Sequence, residues 1–263
     1  MSGKQARRRR QKAAAPPPVA RKGERRSASP KVLVIAAIVV LVVAGAAVGI
    51  ALAVGGGTSS ASGTVPTRGS LTNALPDADA VQREFAGVPQ HGLVLGSPKA
   101  PLTMIEYVDL QCPGCRAFET EVLPSIVPEF VRTGKLKIEA RPIWIIGPDS
   151  LPGRNAAIAA GRQNRAFNFM QVVYSNQGTE NTGWLNRAFI EKAAASVPGM
   201  DVRALLDDQN SSAVNKVGEG FDAAKVTTTP TLLLGRTGST LQPVSSAATF
   251  DQAKLAAAIR SLG

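Results

Sequence analysis

The chain has 263 residues, 44% of them hydrophobic, enough for one or two substantial cores, and carries a net charge of +11. Eleven basic residues between Met1 and Lys31, against Glu24 alone, supply +10 of that charge, so the basicity belongs to a tail and argues against a basic, nucleic-acid-binding domain. Two cysteines and one histidine are too few for a zinc site of about four ligands.

Residues 1–31 are rich in Arg, Ala and Pro and have no periodic apolar face, the pattern of a disordered cytoplasmic tail near anionic headgroups. Residues 32–54 are an uninterrupted apolar run without a charge, and a transmembrane helix needs about 20 such residues. The cationic block before it keeps the N-terminus cytoplasmic and sends the rest outward. A cleavable signal peptide is the rival reading, with Ala51-Leu52-Ala53 as the cleavage site, but its apolar region is normally about 7–15 residues. An uncleaved anchor is favoured, and either reading places the two cysteines in an oxidising compartment.

Residues 55–90 read as a linker with a short N-terminal extension: a Gly/Ser/Thr-rich tether over 55–72, then a short helix over 77–86 between Pro76 and Gly87. The globular domain is expected over 91–263. Residues 93–96 form a short strand and 101–109 a stronger one, apolar on both faces as in a covered central strand. Glu106 is thus an acid on a face that should be buried. Cys112-Pro113-Gly114-Cys115 follows at a helix start, where Phe118, Val122, Ile126 and Phe130 recur every four residues. Pro124 and Pro128 should kink or break this helix, and Gly134 closes it.

The alternation at 136–141 marks a half-buried strand, completing a right-handed βαβ unit with the cysteines at the carboxyl end of its first strand. Residues 147–225 change to a helical insertion, with helices over 154–173, 184–197, 201–208 and 211–225. Then come Thr229-Pro230, a strand over 231–234, a hairpin partner over 240–244, and a closing helix that Thr249 and Gln252 begin as a capping box.

The chemistry centres on the cysteine pair. A thiol at the positive end of a helix is held partly as thiolate, and a second thiol two residues on can resolve a mixed disulfide. A static bridge is the weaker alternative, since closing so small a ring removes little chain entropy. A carboxyl such as Glu106 in apolar surroundings has a raised pKa and can shuttle protons near neutrality. Asp109 reads as a turn or helix-entry residue and His91 as solvated. Trp144, Trp184, Tyr174, Phe167 and Phe169 read as core of the insertion or its junction.

The run from Ile105 to Cys115, the helical insertion, and Val226-Thr227-Thr228-Thr229-Pro230-Thr231 together resemble the DsbA-like thioredoxin-fold thiol–disulfide oxidoreductases of bacterial cell envelopes. The resemblance covers residues 91–263. It implies an α/β thioredoxin-like fold, a mixed central sheet flanked by helices, here preceded by one transmembrane helix. By it, Cys112 is the exposed nucleophile, Cys115 the buried resolving thiol and Glu106 the proton relay. Pro230 is then a cis-proline facing the sulfurs; Thr229, Pro113 and Gly114 complete the side that meets an extended client segment. No cofactor is implied; the partners are reduced secreted or envelope proteins and a quinone-linked membrane reoxidase. The family's strongest oxidants carry a histidine between the cysteines where this chain has Pro113-Gly114, which should leave its disulfide less oxidising. A reductase or isomerase on the same fold, or a noncatalytic peptide-binding domain, is the alternative.

Overall fold

The computed structural model describes residues 66–263. In chain order, helix α1 (Ala78–Phe85) leads to strands β1 (Gln90–His91), β2 (Val94–Leu95) and β3 (Leu102–Val108); a long helical segment separates these from β4 (Leu136–Pro142), and a helical block from β5 (Thr231–Arg236) and β6 (Gln242–Pro243). The strands form one sheet in the order β1-β2-β4-β3-β5-β6. β3 and β4 are parallel and every other pair is antiparallel. All seven residues of β3 are buried, as its apolar faces require. Leu102, Met104 and Val108 enter the main core, while Ile105 and Tyr107 pack with Ile143 in a smaller cluster on the other face.

The prolines do not break the helix after the cysteines. It runs as α2 (Pro113–Ala117), a π-helical turn (Phe118–Val122), α3 (Leu123–Ile126) and a second π-turn (Val127–Val131), with right-handed helical backbone at each junction. Leu123 N–H bonds Phe118 O and Arg132 N–H bonds Val127 O, five residues back. The widened turns accommodate the N–H that each proline lacks. Phe118, Val122, Leu123, Ile126, Val127 and Phe130 all face the core.

The insertion comprises α4 (Ser150–Arg162), α5 (Ala166–Ser175), α6 (Arg187–Ala195), α7 (Val202–Asp208) and α8 (Ser212–Asp222). The single helix expected over 154–173 is two, because Asn164 takes a left-handed conformation (φ 56°) between α4 and α5. Asp201 and Ser211 cap α7 and α8, accepting from Ala204 N at 2.9 Å and Val214 N at 3.2 Å. Thr249 is not the cap of the closing helix. It ends a short helix α9 (Ser246–Thr249), and Asp251 caps α10 (Gln252–Arg260) by accepting from Lys254 N at 3.0 Å. The hairpin partner expected over 240–244 shrinks to two residues, one of them the donor-less Pro243.

Much of the expected linker is docked onto the domain. Arg68 bridges to Asp201, and Gly69 N–H bonds Met200 O at 2.8 Å. Gly69 sits so close that a Cβ there would lie 2.0 Å from Val197 O. α1 buries Ala78, Val81 and Phe85 at helical spacing, and Phe85 meets Phe167 edge-on with ring centroids 6.1 Å apart. Residues 68–90, expected as linker and short extension, therefore pack on the domain. The basic tail, the apolar run over 32–54 and the first part of the tether lie outside the described residues; among those described, no helix is long and apolar enough to cross a membrane.

Candidate active site

The sheet delivers the chain to the cysteines at the end of β3. Asp109, fully buried, accepts N–H bonds from Gln111 at 2.9 Å, Ile145 at 2.8 Å and Ile146 at 3.0 Å, tying the turn after β3 to the loop after β4. Cys112 N–H bonds Asp109 O at 2.9 Å. Gln177 of the insertion donates to the carbonyls of Leu110 at 2.9 Å and Cys112 at 3.2 Å. The approach to α2 is thus held by the loop after β4 and by Gln177, and Asp109 is the structural residue its position implied.

Cys112 is the N-cap of α2. Its Sγ accepts from Cys115 N at 3.4 Å and, as a thiol, donates to Thr229 O at 3.3 Å. Both cysteines are free thiols. The Cys115 S–H beside it draws the Cys112 thiol down from 9.0 to about 6; burial opposes this, and the Thr229 hydroxyl and the N–H groups of Cys115 and Gly114 reinforce it. Cys115 goes the other way, pushed well above an ordinary thiol by burial and then by its neighbour Cys112. Cys112 is less open than expected, at 6% exposure against 0% for Cys115, because Pro230 and Phe250 crowd the same spot.

The Thr229–Pro230 bond is cis. A Cβ built on Gly114 would lie 3.3 Å from Pro230 Cδ and 3.6 Å from both Cys112 Sγ and Phe250 Cζ. Gly114, Pro230, Thr229 and the sulfurs thus lie together, with Pro113 exposed at their edge. Phe250, half-exposed beside them, carried no sequence signal. The Thr229 hydroxyl is buried and has no hydrogen-bond partner among the described residues.

Glu106 is fully buried on β3, opposite Ala140 and Leu232, and neither carboxyl oxygen has a hydrogen-bond partner among the described residues. Burial raises it from 4.5 to about 8, and the carboxyl of Glu119 opposes part of that rise. Glu119 is itself buried and held well above an ordinary carboxyl, by burial first and then by the charges of Glu106 and Glu84. The sequence reading missed Glu119. Its signal was the spacing of four from Cys115, which places it one helical turn on, along the same face.

His91 is exposed in β1 and takes no part. Phe167, Phe169 and Tyr174 are core, with the Tyr174 hydroxyl donating to Asp109 O at 3.3 Å. Trp184 packs edge-on against Phe189, while Trp144 is 42% exposed and donates to Asp222. A cavity of about 440 Å³ between the β5–β6 edge and α10 touches none of these residues.

A CxxC dithiol at a helix start, opposed by a cis-proline at the end of a mixed sheet, defines a thioredoxin-fold dithiol domain. The family model described as Thioredoxin matches residues 89–250, more than half of the chain, and the chain belongs to that family. It is 28% identical over 135 residues to a probable disulfide bond formation protein D of Bacillus cereus, covering 50% of this chain and 62% of that protein. The likeness to disulfide bond formation protein D of Bacillus subtilis is 26% over 165 residues, 59% of this chain and 71% of that one. The match thus spans somewhat less than two thirds of the first of these relatives. Among solved structures, oxidised BdbD from Bacillus subtilis superposes with a TM-score of 0.57 at 18% identity, covering 66% of this chain and 96% of that one. An oxidised Mtb DsbA gives 0.51 at 22% identity, covering 65% and 91%. These superpositions establish the fold.

Proposed function

We propose that the chain is an extracytoplasmic thiol–disulfide oxidoreductase that donates the Cys112–Cys115 disulfide to secreted or envelope proteins. The observation that carries this reading is the opposed tuning of the two thiols: Cys112, capping α2 with its Sγ 3.3 Å from Thr229 O, is lowered to about 6, and Cys115, fully buried one turn on, is raised. A low-pKa Cys112 is a good leaving group from a mixed disulfide, and its stabilised thiolate makes the reduced enzyme favourable, which is what an oxidant requires. The names of the Bacillus relatives, disulfide bond formation protein D, support the same direction.

In the oxidase direction a client thiolate attacks Cys112 Sγ, the Cys112–Cys115 bond breaks, and its electron pair leaves on Cys115. Cys115 takes a proton through Glu106. A second client thiolate attacks the client sulfur, forming the client disulfide and releasing Cys112 as thiolate. The client segment lies beside Pro230, Thr229 and Gly114. A membrane reoxidase linked to quinone restores the bridge. The basic tail and the apolar run over 32–54 make the chain a single-pass membrane protein with its N-terminus in the cytoplasm.

The deciding experiment equilibrates the full chain with glutathione buffers and measures the potential of the couple. An oxidase lies above about −200 mV, towards the roughly −120 mV of DsbA. A value near about −270 mV or below would instead make it a reductase. Cys115→Ala should accumulate mixed disulfides with envelope proteins and Cys112→Ala should not.

A further inference from the structure

Eight buried side-chain polar atoms lack a hydrogen-bond partner among the described residues, and five of them belong to one cluster: Glu84 Oε1, both oxygens of Glu106, Glu119 Oε1 and Gln171 Oε1. Three separate elements, α1, β3 and the first π-turn, each bring a carboxyl to it. Buried polar groups are ordinarily satisfied, so this concentration needs a reason.

The cluster is graded from inside to outside. Glu106 is 0% exposed, Glu119 is 1% exposed and Glu84 is half-buried. Gln171 of α5 links the outer two, its Nε2 donating to Glu119 O at 2.6 Å and to Glu84 Oε2 at 3.4 Å. Glu84 and Gln171 then line a cavity of about 390 Å³ whose wall also holds Asp77, Arg116 and Thr120. Tyr174, one turn after Gln171 on α5, is buried among Cys115, Glu119 and Glu106. Resting on the thiol-exchange reading above, we propose that Glu84, positioned by Gln171, is the solvent end of a carboxyl chain Glu106–Glu119–Glu84 that carries the Cys115 proton to and from this cavity.

The balance is simple. When Cys115 leaves as thiolate, Glu106 gives it a proton, and a solvent proton entering at Glu84 is passed by Glu119 to Glu106, the unpartnered carboxyl oxygens turning or taking up solvent to close each gap. Reoxidation runs the same transfers backwards, and no electrons enter the chain. Glu84 is raised to about 7 by burial, so near neutral pH it both holds and releases a proton readily. Among the described residues, the charged groups around it are Asp77, Asp79 and Arg83 on and before α1, Arg116 on α2, Glu119, and Arg132, whose guanidinium bonds the carbonyls of Glu84 and Ala86. Arg116 lines the same cavity as Glu84, and the Gln171 amide donates to Glu84 Oε2, which favours the transient Glu84 carboxylate.

The test follows the oxidation of a dithiol peptide by the full chain from pH 6 to pH 9, comparing wild type with Glu84→Gln and Glu84→Ala. The expected result is a rate about tenfold lower for both variants near neutral pH. The far-ultraviolet titration of Cys112 should be unchanged, because Glu84 is not among the groups that tune it. Imidazole at fixed ionic strength should enter the space left in Glu84→Ala and restore the rate in proportion to its concentration, while leaving wild type unaffected. Wild-type rates in Glu84→Gln across the pH range, or a slow Glu84→Ala that imidazole does not rescue, would overturn the relay. Failure of wild type itself to oxidise the peptide at any pH would instead overturn the exchange reading.

Discussion

Cys112 Sγ stands 3.3 Å from the carbonyl oxygen of Thr229 and donates to it as a thiol. Ionisation reverses that contact, since a thiolate has no proton to give and a carbonyl oxygen repels it. The Thr229 hydroxyl, buried and otherwise unpartnered, is the donor that replaces it. Thr229→Val keeps the shape and removes the donor. The titration midpoint of Cys112 should then rise from about 6 by roughly one pH unit, because a hydrogen bond to a charged group is worth about 1.5–3 kcal/mol. Thiolate absorbance against pH reads this directly; an unmoved midpoint would remove the hydroxyl from the account.

Gly114 is the other side of the same contact. Its missing Cβ would be 3.3 Å from Pro230 Cδ and 3.6 Å from Phe250 Cζ, tight but close to ordinary contact. Gly114→Ala should therefore fold and exchange within a few-fold of wild type. Gly114→Val has to displace Pro230 or Phe250, at about 1–3 kcal/mol, and should slow exchange about tenfold. Adding Phe250→Ala should recover part of that loss, as coupled neighbours do in a double-mutant cycle. Additive effects of the two substitutions would show that the ring does not crowd Gly114.

These two sites show what the sequence made legible. The period-two pattern of β3 placed Glu106 in the core, and the CxxC spacing placed both thiols on one helix start. Thr229 and Pro230 were legible through resemblance, since nothing local joins residue 112 to residue 229. Glu84 and Gln171 have no local sequence signal that joins them to the cysteines, and the packing of α1 and α5 on the first π-turn brings them to Glu119. The π-turns were hidden for a related reason. Proline propensity argues for a break, and the continuous apolar face buried on the sheet overrides it.

Arg154 ties the insertion to the site loop. It is 3% exposed on α4, pairs with Asp222 of α8, and bonds Asn155 Oδ1 at 3.0 and 2.9 Å, while Asp222 also accepts from Trp144 Nε1 at 3.1 Å. A Cβ on Gly218 would lie 2.6 Å from Arg154 Cζ, and a guanidinium held by Asp222 and Asn155 is not free to swing away. Arg154→Ala should cost about 3–5 kcal/mol, since it leaves a buried polar cluster broken, and Gly218→Ala about 1–3 kcal/mol. Urea unfolding of the full chain checks both; a Gly218→Ala variant as stable as wild type would show that the α4–α8 contact yields easily.

The carboxyl cluster also fixes how stability depends on pH. Glu106 and Glu84 rise from 4.5 to about 8 and about 7, and Glu119 rises with them, all chiefly through burial. The folded chain therefore holds protons that the unfolded chain releases, and the stabilisation is complete below about pH 4.5 and lost as pH climbs through about 7 to 8. Asp79 and Asp251 are lowered by Arg83 and by Lys254, so they act below this window. The melting temperature of the oxidised protein should fall by roughly 5 °C or more from pH 5 to pH 8, and Glu106→Gln should flatten that slope. Reduction adds the opposite term. Cys112 drops from 9.0 to about 6, so its contribution is fully present above about pH 9 and is lost as pH falls through about 6. The disulfide cannot carry this term. The reduced form should therefore gain on the oxidised form as pH rises from about 6 to about 9, and parallel melting curves for the two forms across that range would mean that the Cys112 thiolate is not stabilised by the fold.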